Sequence, residues 1–256
     1  MLLRDITAVL ESLAPSALAE PWDNVGLLVG DPSQEVTHAL LAIDATPAVI
    51  AEAVAAGCEL IVAYHPVIFD GLKRVTAGSP VYELVRRGVA VYAPHTALDV
   101  APGGTNDVLA SVAGITDPRP LRVTKPEAGL GLGRVGDITP VDRAALIDRV
   151  RTGLGLSHVL VAGPTEGEVR RVAVGAGACG DLFKDALRAG AGLYLTGEMR
   201  HHDALRAAEG GMTVVCALHS NSERKTLDVV AARMASALPG LRVTVSQRDR
   251  DPFCVR

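Results

Sequence analysis

The chain has 256 residues, 48% of them hydrophobic and 21% charged, with a net charge of -4. That length supports one large domain or two modest ones, each with a proper core. The slight acidity and the lack of any block of Lys and Arg argue against nucleic acid or a membrane surface as partner, and Glu52, Glu59 and Asp70 interrupt the most apolar region well short of the ~18 residues of a membrane span.

The opening Met1-Leu2-Leu3-Arg4-Asp5-Ile6 has an early acid and a helical pattern, unlike the basic-then-apolar order of a signal peptide. A cytoplasmic location is therefore expected. A unit then recurs along the chain: an amphipathic helix, a glycine and a short apolar strand. It predicts a helix over 47–56, Gly57 and a strand over 59–63, then a helix over 80–87, Gly88 and a strand over 89–93. Two further copies predict a helix over 181–189 with a strand over 193–196, and a helix over 200–209 with a strand over 212–218. Strands alternating with helices of this length point to βαβ connections and largely parallel sheets.

A different middle separates the copies. Residues 117–164 carry Pro118, Pro120, Pro126 and the glycine-rich run from Gly129 to Gly136, followed by one helix near 141–154. A lobe boundary near residue 118 follows, giving a first α/β lobe over 1–118 and a second over 119–256. Cys58, Cys179, Cys216 and Cys254 are widely spaced with no C-x-x-C pair, so they read as reduced thiols, with neither a disulfide framework nor a zinc ribbon.

Three apolar runs stop at a histidine. They precede Tyr64-His65-Pro66, Pro94-His95-Thr96-Ala97-Leu98-Asp99 and His219-Ser220-Asn221-Ser222-Glu223. If the runs are neighbouring strands of an open α/β sheet, their carboxyl ends line the edge where such folds place ligands. Imidazole and carboxylate are the ordinary ligands of Zn, Mn or Fe, so the gathering suggests a divalent-metal site. Each cluster also has a duller reading. His219, ending its strand, is compatible with a place before an S-x-x-E capping box closed by Glu223; His95 and Asp99 are compatible with a turn histidine and a loop-capping aspartate; His65 is compatible with a core histidine.

Gly175-Ala176-Gly177-Ala178-Cys179-Gly180 matches G-x-G-x-x-G between a strand and a helix, with Glu198 near the place of the acid that pattern expects. A tight turn or a phosphate contact at the helix start is the better reading than a dinucleotide site. In His201-His202-Asp203, adjacent helical residues point in different directions, so the two histidines do not serve one ion. One of them lines the pocket, or the pair is the hydrophilic start of a helix.

Read together, these segments resemble the Nif-three-like family, also labelled GTP cyclohydrolase I type 2 homologues. The matching pieces are Trp22-Asp23-Asn24-Val25-Gly26-Leu27, Tyr64-His65-Pro66-Val67-Ile68-Phe69, Pro94 to Asp99, Gly131 to Gly136, Thr196 to Asp203 and His219 to Arg224, in the family's order and over nearly the whole chain. The resemblance implies two interlaced α/β lobes, a toroidal homohexamer and two divalent ions per subunit in the ring cavity. It places the ligands on His65, Asp99, His219 and Glu223, with Glu223 bridging. Tyr64 stands where many bacterial members have a further histidine, a departure shared with the branch that includes the eukaryotic members. A phenol, with its pKa of ~10, is a poor ligand at neutral pH, so the two ions are expected to bind unequally, with water, His95 or His202 completing the weaker site.

Two functions compete on this reading. One is a metal-dependent hydrolase acting on a nucleotide or phosphoester-like substrate, with His95 and His202 as proton carriers, Glu198 behind them, and Lys73, Arg74, Arg134, Arg224 and Lys225 as candidate contacts for phosphate. The other is a non-catalytic metal-binding ring that acts as a regulator or interaction partner. A nucleotide-binding module on residues 175–180 is a distant third.

Overall fold

Leucine and isoleucine at helical spacing give α1 (Leu3–Leu13) an apolar face, and the computed structural model, which describes residues 1–254, buries Leu3, Ile6 and Leu10 on it. Strands β1 (Gly26–Val29) and β2 (His38–Ala42) follow. Helix α2 (Pro47–Ala55) starts at Thr46, whose side chain accepts from the Val49 amide, with proline in the first turn. After β3 (Leu60–Ala63), α3 (Pro80–Arg87) repeats that start with Ser79 and stops at Gly88, whose φ of 66° suits a residue without a Cβ. The chain continues through β4 (Ala90–Ala93), α4 (His95–Val100) and α5 (Thr105–Ala113). Next come β5 (Arg119–Lys125), β6 (Leu130–Asp142), α6 (Arg143–Gly153), β7 (Leu160–Ala162) and β8 (Glu168–Gly175). The last elements are α7 (Phe183–Arg188), β9 (Leu193–Thr196), α8 (His201–Glu209), β10 (Thr213–Cys216), α9 (His219–Ala237) and β11 (Arg242–Val245).

These elements form two units, each assembled from two chain segments. The first comprises Met1–Ala101 and Thr226–Arg250, the second Pro102–Lys225 and the segment from Asp251 onward. In the first unit a five-stranded sheet has the order β1-β4-β3-β2-β11, parallel except for β1. β2, β3 and β4 are buried along their whole length, as parallel strands covered on both faces should be. On one side α1 and the later turns of α9 supply Leu3, Ile6, Leu227, Val230 and Met234 to the core, and on the other α2 and α3 supply Val49, Ile50 and Leu84. Glu52 of α2 holds the chain leaving β11, accepting from the Ser246 hydroxyl and from the amides of Gln247 and Arg248 at 2.8 and 3.2 Å.

The second unit has a six-stranded sheet in the order β5-β6-β8-β9-β10-β7, with β8, β9 and β10 parallel and the other pairings antiparallel. The α/β class therefore holds in both units, with parallel ladders at the heart of each sheet and antiparallel strands beside them. The glycine-rich run of the middle segment lies in β6, a strand of 13 residues. Its glycines admit neighbouring backbone: a Cβ at Gly131 would lie 2.0 Å from the Arg122 carbonyl oxygen, and one at Gly136 2.8 Å from that of Asp117. Pro120 is accommodated because β5 is the sheet edge. Residue 118 lies between α5 and β5, and α5 packs Leu109, Ala110 and Ala113 into the second unit's core with Val172 and Val174. Among the described residues no helix is long and apolar enough to cross a membrane.

Candidate metal centre

In the first unit the chain leaves β3 through Tyr64 and His65. The His65 Nδ1 lies 2.9 Å from Oδ1 of Asp44, just past the end of β2. A carboxylate can only accept, so Nδ1 carries the proton and Nε2 is the nitrogen a metal would take. Tyr64 is buried, and its hydroxyl donates to Oδ1 of Asp99 at 2.5 Å. Asp99 sits on α4, itself buried, one turn after His95.

α4 begins abruptly, with His95 at φ 31°, a value rare outside glycine. The cause is a clamp on Asp23: its Oδ1 lies 2.7 Å from His95 Nδ1, while Oδ2 accepts from the Thr96 amide at 3.1 Å and from the Thr96 hydroxyl. Burial acts to raise the Asp23 carboxyl, but the hydrogen bonds from His95 and Thr96 and the His95 charge outweigh it and leave the pKa below the ordinary carboxylate value. His95 also stands beside His65, with ring centroids 5.4 Å apart.

In the second unit the chain leaves β10 and turns at Leu218, φ 73°, so that α9 starts at His219. His219 therefore opens a helix where the sequence suggested a strand end, and Glu223 follows one turn later on the same face. The capping box does not form. The Ser220 hydroxyl donates to Oδ2 of Asp251 at 2.8 Å, and that of Ser222 accepts from the Gly177 amide at 2.8 Å and donates to the His219 carbonyl. His219 Nδ1 is 3.1 Å from Oε1 of Glu198, beyond β9, and Nε2 is 3.3 Å from Oε1 of the buried Glu223.

The glycine pattern at 175–180 clears space for this cluster. A Cβ at Gly177, φ 60°, would lie 2.5 Å from Oε1 of Glu223 and 3.2 Å from Nε2 of His219. At Gly175 it would meet the Tyr194 hydroxyl at 2.5 Å, and at Gly180 the Glu198 carbonyl oxygen at 2.7 Å. A short 3-10 turn over Cys179–Leu182 follows and runs into the α-helix at Phe183.

The residues fit divalent ions. His65 and His219 each have Nδ1 set against a carboxylate outside the expected ligand set, the arrangement that fixes the tautomer and aims Nε2 at a metal. Tetrahedral bonds of ~2.1 Å place neighbouring ligand atoms roughly 3.4 Å apart, close to the 3.3 Å between His219 and Glu223. The sequence by itself assigns no role to Asp44 or Asp23. Asp44 had a signal, since it closes a fourth apolar run, Leu40-Leu41-Ala42-Ile43, at the same sheet edge.

Other candidates are placed differently. His202 is exposed on the first turn of α8, edge-on to His201 at 5.2 Å. Arg134 is withdrawn from any phosphate: it is buried, paired with Asp107, and donates to the carbonyls of Gly131 and Gly133, both at 2.9 Å. Arg224 donates to the Ser220 hydroxyl, whereas Lys73, Arg74 and Lys225 are exposed. Burial pushes the Cys58 and Cys216 thiols up to about 11, so neither is a ready nucleophile.

Over residues 1–252 the chain matches the family model described as Duf34/NIF3 (NGG1p interacting factor 3). It is 32% identical to the GTP cyclohydrolase 1 type 2 homolog of Clostridium perfringens, covering 99% of each chain. Identity to the protein NIF3 homolog of Schizosaccharomyces pombe is 35%, covering 96% of this chain and 95% of that one. Among solved structures, a Bacillus cereus protein related to NIF3 superposes with a TM-score of 0.90 at 22% identity, over 100% of this chain and 99% of that one. That last likeness is one of fold alone.

Proposed function

Because the chain belongs to the Duf34/NIF3 family, and because its strand-end histidines are backed by carboxylates, we propose that it binds a pair of divalent metal ions through His65, Asp99, His219 and Glu223. The observation that carries this reading is His219, set between Glu198 and Glu223 with Gly177 cleared beside it. Glu223 would be shared by the two ions; His65 and Asp99 would help to hold one, and His219 with water the other, which would therefore be held more weakly. Tyr64 acts by holding Asp99 through its hydroxyl, which orients the carboxylate without adding a ligand. Zn, Mn and Fe suit this donor set, and the working form is a homohexamer.

The activity we propose is hydrolysis of a nucleotide or phosphoester-like substrate, of which the nucleotide is suggested by the name of the Clostridium relative, a GTP cyclohydrolase 1 type 2 homolog. Bound divalent ions supply an activated water and polarise a substrate oxygen. Of the chain's own groups, His95 moves the proton with its Nδ1 held by Asp23, and Glu198 fixes the His219 ring. His202, exposed at the start of α8, is the second proton carrier. A non-catalytic metal-binding ring that serves as regulator or partner is the alternative, and the commitment of Tyr64 to Asp99, which leaves the weaker ion short of a ligand, favours it.

Metal analysis of the purified protein and of Glu223→Ala, followed by a hydrolysis screen of nucleotides and phosphoesters with both, separates these readings. The wild type is expected to retain metal that the variant loses, and to hydrolyse a substrate the variant leaves intact. Undiminished metal in Glu223→Ala would overturn the ligand assignment, and equal turnover in both would overturn the enzyme.

A further inference from the structure

The chain has a single tryptophan and three phenylalanines, and two of these four rings are exposed together beside His95, the proposed proton carrier. Trp22 is 60% exposed and Phe69 50%, with ring centroids 5.9 Å apart. Both flank His95, edge-on, at 6.1 and 6.5 Å. Aromatic rings of this size normally gain more by burial than by facing water. The structure nevertheless holds these two in place. Asn24 donates through Nδ2 to the Ile68 carbonyl at 2.6 Å, joining the segment that bears Trp22 to the one that bears Phe69, and Asp23 fixes His95 from behind.

We propose that Trp22 and Phe69 form the seat of a planar heteroaromatic ring, a nucleobase in size and polarity, whose polar edge meets Nε2 of His95. The inference deepens the proposed function, on which it rests, by naming the part of the substrate this face recognises. Three features select that chemistry. The exposed aromatic faces offer stacking to any flat π system, worth ~1–3 kcal/mol per base. The Nε2 of His95 makes no hydrogen bond among the described residues, so it can donate to or accept from a ring nitrogen or oxygen. The loop that continues from Phe69 carries Lys73 and Arg74, both exposed, which suits a ring attached to a phosphate. Contact of the His95 ring with that of His65, centroids 5.4 Å apart, sets this seat next to a proposed metal ligand.

Because Trp22 is the sole tryptophan, its fluorescence reports directly on the seat. Titration with guanosine 5′-monophosphate, corrected for absorption by the base, is expected to quench it saturably, whereas ribose 5-phosphate, which has the phosphate but no ring, quenches little. Phe69→Leu keeps apolar bulk but removes the aromatic face, and is expected to weaken nucleotide binding about fivefold or more. Quenching is expected to persist in Glu223→Ala, since none of the three seat residues is a proposed metal ligand. Equal quenching by ribose 5-phosphate, no quenching by the nucleotide, or exclusion of acrylamide from Trp22 by a second copy of the chain would each overturn the inference. Metal retained by a protein that shows no quenching leaves the metal reading standing, and quenching by a protein that retains no metal does the reverse.

Discussion

A methyl group at Gly177 would sit 2.5 Å from Oε1 of Glu223, on backbone at φ 60° that disfavours any side chain. Gly177→Ala should therefore displace both proposed ligands of the second unit. We expect at least a tenfold loss of metal affinity and a destabilisation of about 1–2 kcal/mol, measured by metal analysis and thermal melting. Gly190→Ala is the control, because Gly190 shares a positive φ of 74° but has nothing within 4 Å of an added Cβ; it should lose stability without losing metal. The glycine pattern itself was plain in the sequence, yet its purpose was not. A phosphate turn and a clearance for packed side chains both need a residue without a Cβ, and only the neighbours tell them apart. Tyr64 is similar: its identity was legible, but that it serves Asp99 by a hydrogen bond depends on how β3 and α4 pack.

At the scale of elements, α4 shows a helix whose start is dictated from elsewhere in the chain. Local signals at Pro94-His95-Thr96 suggest a turn, and the helix begins there because Asp23, far upstream, takes the Thr96 amide and hydroxyl as well as the His95 ring. The lowered pKa of Asp23 fixes the sign of a pH effect. The stabilisation is fully present above the unfolded carboxylate value of ~4 and is lost as pH falls through the lower native value. Melting of wild type and Asp23→Asn should then differ at neutral pH, with the variant less stable, and converge as the pH drops below about 4. A gap that widened on acidification would show that the clamp works otherwise. β6 makes the complementary point, since glycines that argue locally against a strand are required by the backbone that passes over it.

At the scale of the molecule, metal bound by the proposed ligands should stabilise the folded chain, by about 2.7 kcal/mol at a hundredfold excess of free metal over Kd. Removing metal with a chelator is expected to lower the melting temperature of the wild type by several degrees and to leave that of Glu223→Ala unchanged. An equal response of both proteins would place the metal elsewhere.

Sequence alone determined the α/β class, the recurring helix, glycine and strand, and the histidines that follow buried apolar runs, because each of these is written in residues a few positions apart. The family, too, was legible from short motifs in a fixed order. Tertiary structure alone decided which carboxylate backs which histidine. Asp44 and His65 are 21 residues apart, as are Glu198 and His219; Tyr64 and Asp99 are separated by 35 and Gly177 and Ser222 by 45. Such pairs meet because parallel strands such as β2 and β3, or β8, β9 and β10, end side by side. Strand order is a property of the folded sheet, and hydrophobic periodicity, which reports only the burial of each strand, carries no record of it.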